Sequence, residues 1–135
     1  MVQNLDIFID SSYNTKTTSP VSGIRCIRGE VTLRGINNID SKANYRAYAV
    51  VADGDQTIVN IEGIFNLRTR GDFSFGIMSA GNAQVNLKQG MTLNADSASY
   101  SLIVMRQGNI RGERDITVNA NHCFFAEGGS GPTYG

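Results

Sequence analysis

The chain has 135 residues, of which 41% are hydrophobic and 18% charged, and its twelve Lys and Arg are balanced by twelve Asp and Glu. This length suits one domain with a buried core and is too short for two independent domains. A zero net charge without a run of like charge argues against a nucleic-acid partner. The apolar stretches are only a few residues long, so we expect neither membrane insertion nor a cleaved signal peptide.

The first twenty residues combine an apolar patch with a polar run. Leu5, Ile7, Phe8 and Ile9 lie close together in the sequence, and mostly polar residues follow them. A solvated tail would not keep this much apolar surface exposed. We therefore predict that residues 1–20 form an N-terminal arm or cap, whose four apolar residues attach to a partner protein or cover the end of the core.

Beyond Pro20 the chain repeats itself with a period of 27 residues. In three segments, two aliphatic residues, two mostly polar residues, a glycine and an Asp or Asn follow one another, with the glycines spaced evenly. Self-similarity at a fixed period is the signature of solenoid folds. The three copies are Val50–Asp55, Ile77–Asn82 and Val104–Asn109. We predict that Val50, Ile77 and Val104 stack in successive coils.

A second set of segments follows the first. Val31–Ile39 and Val59–Leu67 align at a constant offset, and Val85–Leu93 continues the set with one extra residue before its glycine. We predict Ile116–Val118 as a late fourth copy, with Arg111–Arg114 as an insertion. Insertions confined to one repeat indicate loops on a regular core.

The third side of the period is aromatic or aliphatic. Tyr48, Phe75 and Leu102 recur at 27 residues, and Phe73 and Tyr100 each lie two residues before the last two.

Asparagines recur as well, which could stack their amides in a ladder at one turn. In a chain rich in asparagine, chance alignment is the alternative. The candidate ladder is Asn38, Asn66, Asn94 and Asn121.

Each repeated segment alternates apolar with polar residues over four or five positions, as a strand with one buried face does. Stacked coils would close a continuous core, and no proline interrupts residues 21–131. We therefore predict an all-β fold, a right-handed parallel β-helix of about four coils over residues 21–127, with a flexible C-terminal tail at 128–135. A β-sandwich is the alternative, but its strands have no reason to repeat at a fixed period.

The sequence contains no catalytic, cofactor-binding or metal-binding motif. Glu62 aligns with Arg34 and Gln89, so the paired carboxylates of a glycosidase are not predicted. Asp53–Asp55 resembles a fragment of a calcium loop, but its copies lack the acids. The single histidine, next to Cys123, lacks further metal ligands or a third catalytic residue. We predict no enzyme activity, no cofactor and no metal.

The two cysteines, Cys26 and Cys123, are far apart in the sequence. We predict two buried free thiols without a disulfide between them, because the first and last coils are too distant for a bridge.

Residues Val21 to Glu127 resemble the parallel β-helix modules of bacteriophage tailspikes and tail fibres, and of tailspike-like proteins that decorate phage heads. The resemblance rests on the 27-residue coil, on the Val-x-Leu-x-Gly-Ile and Val-x-Ile-x-Gly-Ile segments beginning at Val31 and Val59, and on asparagine-rich turns. Pectate lyases and autotransporter passengers share these features, which are specific to the architecture. The resemblance implies a homotrimer.

We therefore expect a non-enzymatic structural protein on the virion surface, attached to other capsid or tail proteins. The alternative is a module that binds a host surface glycan or another receptor, and a more remote one is a glycan-degrading tailspike. An exposed aromatic platform would favour glycan binding, whereas aromatic residues buried between subunits would favour the structural role.

Overall fold

A computed structural model of the protein describes residues 2–10, 20–121, 124–127 and 133–134. In this part of the chain every paired strand runs parallel to its neighbour. The strands are β1 (Val2–Gln3), β2 (Asp6–Asp10), β3 (Val21–Arg34), β4 (Ile36–Lys42), β5 (Ala47–Ile61), β6 (Ile64–Arg70), β7 (Phe75–Ala80), β8 (Gln84–Leu87), β9 (Thr92–Ser97), β10 (Leu102–Met105), β11 (Asn109–Gly112), β12 (Thr117–Ala120), β13 (Phe124–Glu127) and β14 (Thr133–Tyr134).

The strands form the three sides of a stack of coils, so the predicted parallel β-helix is confirmed. The first side contains the amino-terminal halves of β3 and β5, then β7, β10 and β13. The second side contains β1, the carboxyl-terminal halves of β3 and β5, then β8, β11 and β14. The third side is a separate five-stranded sheet in the order β12-β9-β6-β4-β2. Every side is thus one parallel ladder that runs along the stack.

The inward positions of these strands form the core. Like residues lie above like residues, as in the column Val31, Val59, Val85 and Ile110. Phe65 is the largest fully buried side chain of the described core, and Leu93 stacks on it in the next coil. Burial of each such side chain contributes about 1.5–3 kcal/mol, so a coil is stable only when another covers it.

The register of the last coil differs from the prediction. Val50 pairs with Ile77 as expected. Ile77, however, pairs with Leu102, and Val104 pairs with Ser79, so the predicted stacking of Val104 on Ile77 is wrong.

A shorter connection explains this shift. Thr69 and Ser97 are partners, as are Ile77 and Leu102. Eight positions separate Thr69 from Ile77, but only five separate Ser97 from Leu102. Between these paired positions, the connection from β9 to β10 is therefore three residues shorter than the connection from β6 to β7.

The glycine alignment was misleading because a left-handed turn is made there without glycine. Gly81 and Asn82 have φ angles of 59° and 68°. Their counterparts are Arg106 and Gln107, with φ angles of 48° and 68°. Gly108 follows this turn, and a Cβ there would collide with the backbone of the preceding coil at Ser79.

The predicted fourth copy of the second set is also wrong. Val85–Leu87 pairs with Ile110–Gly112 of β11, so Arg111 and Gly112 belong to a strand and not to an insertion. Thr117–Ala120 instead extends the third side by pairing with Thr92–Ala95.

Both ends of the chain contribute strands to the stack. β1 pairs with β3, and β2 pairs with β4 along its whole length. Ile7 packs against the core, whereas Phe8 points outward and is exposed. β14, within the predicted tail, pairs with β11. A capping role for Ile7 is favoured, and attachment through Leu5, Ile7, Phe8 or Ile9 stays a prediction.

Candidate functional site

The outward-facing rows of the three sides differ in polarity. On the second side the row is Thr32, Asn60, Asn86 and Arg111, and on the third side one row is Asp40, Arg68 and Asp96. On the first side the row is Arg25, Val51, Met78 and Ile103. A solvated sheet face carries polar residues, so the apolar row marks the first side as the candidate site.

This row forms the floor of a groove of about 460 Å³. Val51 and Ile103 lie along the floor and are buried, and the partly exposed Met78 lies between them. Aromatic residues and Arg46 line the groove toward the amino ends of the strands, and Asp53 and Arg106 line it toward their carboxyl ends. The lining residues are Pro20, Arg25, Arg46, Tyr48, Val51, Asp53, Phe75, Met78, Tyr100, Ile103, Met105 and Arg106.

The aromatic wall is a column of three rings. The centroids of Tyr48 and Phe75 are 5.6 Å apart with an interplanar angle of 34°, and those of Phe75 and Tyr100 are 6.2 Å apart at 16°. The rings therefore cover one another's faces and stabilise the stack by about 0.5–1.5 kcal/mol per pair. Tyr48 is buried and Tyr100 is 39% exposed. The prediction that Tyr48, Phe75 and Leu102 form a third side of the coil is wrong, because they lie on the first side with Val50 and Ile77. The aromatic column continues from Phe75 to Tyr100 and not to Leu102.

The charged residues of the groove are unbalanced. Arg25 and Arg106 each approach the same carboxylate, that of Asp53, at 3.9 Å. Arg46 lies over the ring of Tyr45, 5.2 Å from its centroid, and hydrogen bonding with Tyr45 raises the pKa of its guanidinium. Three arginines and one aspartate give the groove a formal charge of +2.

The third side carries the predicted asparagine ladder. The Nδ2 atoms of Asn66 and Asn94 each donate to the Oδ1 atom of the asparagine one coil earlier at 2.8 Å, and Asn38 donates to Asp6 at the same distance. The next member is Asn119, which donates to Asn94, and not Asn121 as predicted. The ladder pairs these amides with one another, which is consistent with a solvated face.

A column of alternating charge runs along the edge between the second and third sides. Arg34 donates to Glu62 at 2.7 Å, and Lys88 donates to Glu113 at 2.9 Å. The hydrogen bond from Lys88 lowers the pKa of the Glu113 carboxyl. Ile61 pairs with Leu87, so the residue that stacks on Glu62 in the next coil is Lys88, and not Gln89 as predicted. Oppositely charged neighbours indicate a structural column and not an acid pair.

The other candidates from the sequence have structural roles where the structure describes them. Asp53 faces arginines, and Asp55 accepts a hydrogen bond from Asn82 at 2.8 Å, so the calcium-like fragment is a turn. Among the described residues no group of three or more His, Cys, Asp or Glu could hold a metal ion. His122 and Cys123 lie outside them.

Cys26 is a free thiol buried in the first coil, and burial raises its pKa. Its Sγ atom lies 3.8 Å from the carbonyl oxygen of Gly29. A raised pKa keeps the thiol protonated and unreactive at neutral pH.

Comparisons with family models, with curated proteins and with solved structures find no match. Across the described ranges, no helix has the length and hydropathy needed to span a membrane.

Proposed function

We propose that the chain is a non-enzymatic β-helical module of a bacteriophage virion, where it assembles as a homotrimer and attaches to other capsid or tail proteins. The observation that carries this proposal is the apolar groove of the first side, in which Met78 is partly exposed between Val51 and Ile103, each 2% exposed. An apolar surface groove flanked by polar residues is typical of a site that another protein covers.

The chemistry of the groove suits side chains of a protein. Its floor is aliphatic except for Met78, whose flexible thioether adapts to an incoming surface. A solenoid of about four coils also has a small core, and contact with further copies adds apolar burial. Most soluble homo-oligomers have closed point-group symmetry, and three copies around a threefold axis would bury one side of each.

A glycan is a poorer fit to this groove. Sugars bind to the faces of aromatic rings, but the ring of Phe75 stacks between those of Tyr48 and Tyr100, and Tyr48 is buried. Hydrolysis of a glycoside needs two carboxyl groups across the bond. Among the described residues that line the groove, Asp53 alone has a carboxyl group, and two arginines approach it.

The assembly surface can be tested by placing a charge on one side at a time. Met78→Glu introduces a carboxylate into the groove floor, and Asn86→Glu introduces the same group on the polar second side. We expect Met78→Glu to be a folded monomer by circular dichroism and light scattering, and Asn86→Glu to remain a trimer. A trimeric Met78→Glu, assembling like Asn86→Glu or like a neutral Met78→Gln variant, would overturn the proposed surface.

The virion location needs its own test. Antibodies against this chain should label the capsid or the tail of intact particles in electron micrographs. Particles that carry the coding sequence but bind no antibody at either place would contradict the location.

A further inference from the structure

Phe8 is a second unusual feature of the surface. Its side chain is 68% exposed, more than that of any other large hydrophobic residue in the described part of the chain. It stands in the outward row of β2, with Asp6 and Asp10 on either side of it. An exposed phenylalanine between acids is costly for a solvated strand, and aromatic side chains of this kind act as anchors in protein interfaces.

The charges around Phe8 and around the groove are opposite in sign. The surface hollow beside Phe8 is lined by the carboxylates of Asp6 and Asp40 and by Arg68, a formal charge of −1, against +2 in the groove. Asp6 accepts a hydrogen bond from the neutral amide of Asn38 and is in no ion pair with another described residue. It is therefore available to a cation of a partner.

We infer that Phe8 of one copy inserts into the first-side groove of the next copy, where its ring contacts Met78 and Phe75 while Asp6 faces the groove arginines. This inference rests on the proposed function, which makes the groove the assembly surface. β2 belongs to the third side and the groove to the first, so the two surfaces lie on different sheets of one copy. The contact is heterologous.

A heterologous contact has a consequence for the assembly. Each copy offers one Phe8 and one groove, so contacts repeat from copy to copy and close into a ring when the rotation between copies fits. Opposite charges on the two surfaces set the orientation and speed the encounter. A ring of three satisfies every Phe8 and every groove.

Two single variants and their mixture test this contact. Phe8→Ser keeps the groove but loses the anchor, and Met78→Glu keeps the anchor but spoils the groove. We expect each variant alone to dissociate at least about thirtyfold more readily than the unmodified trimer, as for an aromatic hot spot. In the mixture, Phe8 of the Met78→Glu variant can still bind the groove of the Phe8→Ser variant. The mixture should therefore form a one-to-one heterodimer, visible in native mass spectrometry with one variant isotope-labelled.

The matched control is Ile36→Ser, which removes another exposed apolar side chain of the third side. It should remain a trimer, and circular dichroism should show all three variants to be folded. A trimeric Phe8→Ser beside a monomeric Met78→Glu would overturn the Phe8 contact and leave the proposed assembly surface standing. Trimers in both variants would overturn both. Two monomeric variants that give no heterodimer when mixed would mean that Phe8 and the groove bind other surfaces, and the inference would fail.

Discussion

At Gly63 the stacking of coils leaves no room for a side chain. Gly63 has a φ angle of 76°, and a Cβ there would collide with the carbonyl oxygen of Gly35 in the preceding coil. Gly90, in the equivalent turn of the next coil, has the same φ angle but open space around the Cβ position. Substitutions at these two glycines therefore distinguish the cost of a left-handed backbone conformation from the cost of a steric collision between coils.

We predict that Gly90→Ala lowers the free energy of unfolding by about 1 kcal/mol, because alanine is disfavoured in the left-handed region. Gly63→Ala should cost about 2–4 kcal/mol, since the backbone of two coils must also move apart. Urea titrations followed by circular dichroism measure both values. Equal losses in the two variants would show that the coils are not packed this closely.

The asparagine ladder makes a second prediction for single residues. Asn66 donates to Asn38 and accepts from Asn94, whereas Asn119 takes part in one such bond among the described residues. At about 1 kcal/mol per hydrogen bond, Asn66→Ala should lose about 2 kcal/mol of stability and Asn119→Ala about 1 kcal/mol. A loss from Asn119→Ala as large as that from Asn66→Ala would contradict the ladder as a stabilising feature.

Among the elements, β2 has two faces with different roles. Ile7 packs against the core, and Phe8 beside it points outward. In the monomeric Met78→Glu background, we predict that Ile7→Ala lowers the free energy of unfolding by about 1–2 kcal/mol, because Ile7 is only partly buried. Phe8→Ala should change it by less than about 0.5 kcal/mol. Urea titrations that gave the reverse order would show that Phe8, and not Ile7, holds β2 on the coil below.

The sequence was sufficient to predict the strands of the first coils but not the register of the last. Val50 and Ile77 were aligned correctly because both coils make the following turn with a glycine in the left-handed region. The next coil makes the turn with Arg106 and Gln107, so alignment on Gly108 placed the strand two residues out of register. A left-handed turn held by ordinary residues leaves no signal in the sequence.

The groove could not be predicted for a different reason. On the first side, Val50 points into the core and Val51 into the groove, and Leu102 and Ile103 are arranged in the same way. A strand that is apolar on both faces reads as a continuous apolar run, which does not reveal which face is inward. The ladder on the third side alternates clearly, so most of its asparagines were found.

At the scale of the whole molecule, the first side differs from the other two sides in polarity and charge. The second side carries amides and charges, and the third side carries them together with exposed apolar residues such as Phe8 and Ile36. The first side has an apolar floor with excess arginine, while the chain as a whole has no net charge. The molecule therefore has the acidic groups needed to match its own groove. Assembly driven in this way should depend on chain concentration and weaken with added salt.

Sedimentation velocity of the unmodified chain over a range of micromolar concentrations tests the assembly most directly. We expect one main species with three times the mass of a single chain, in equilibrium with the monomer only at low concentration. A species with the mass of one chain throughout that range, stable to heating without any partner, would contradict it.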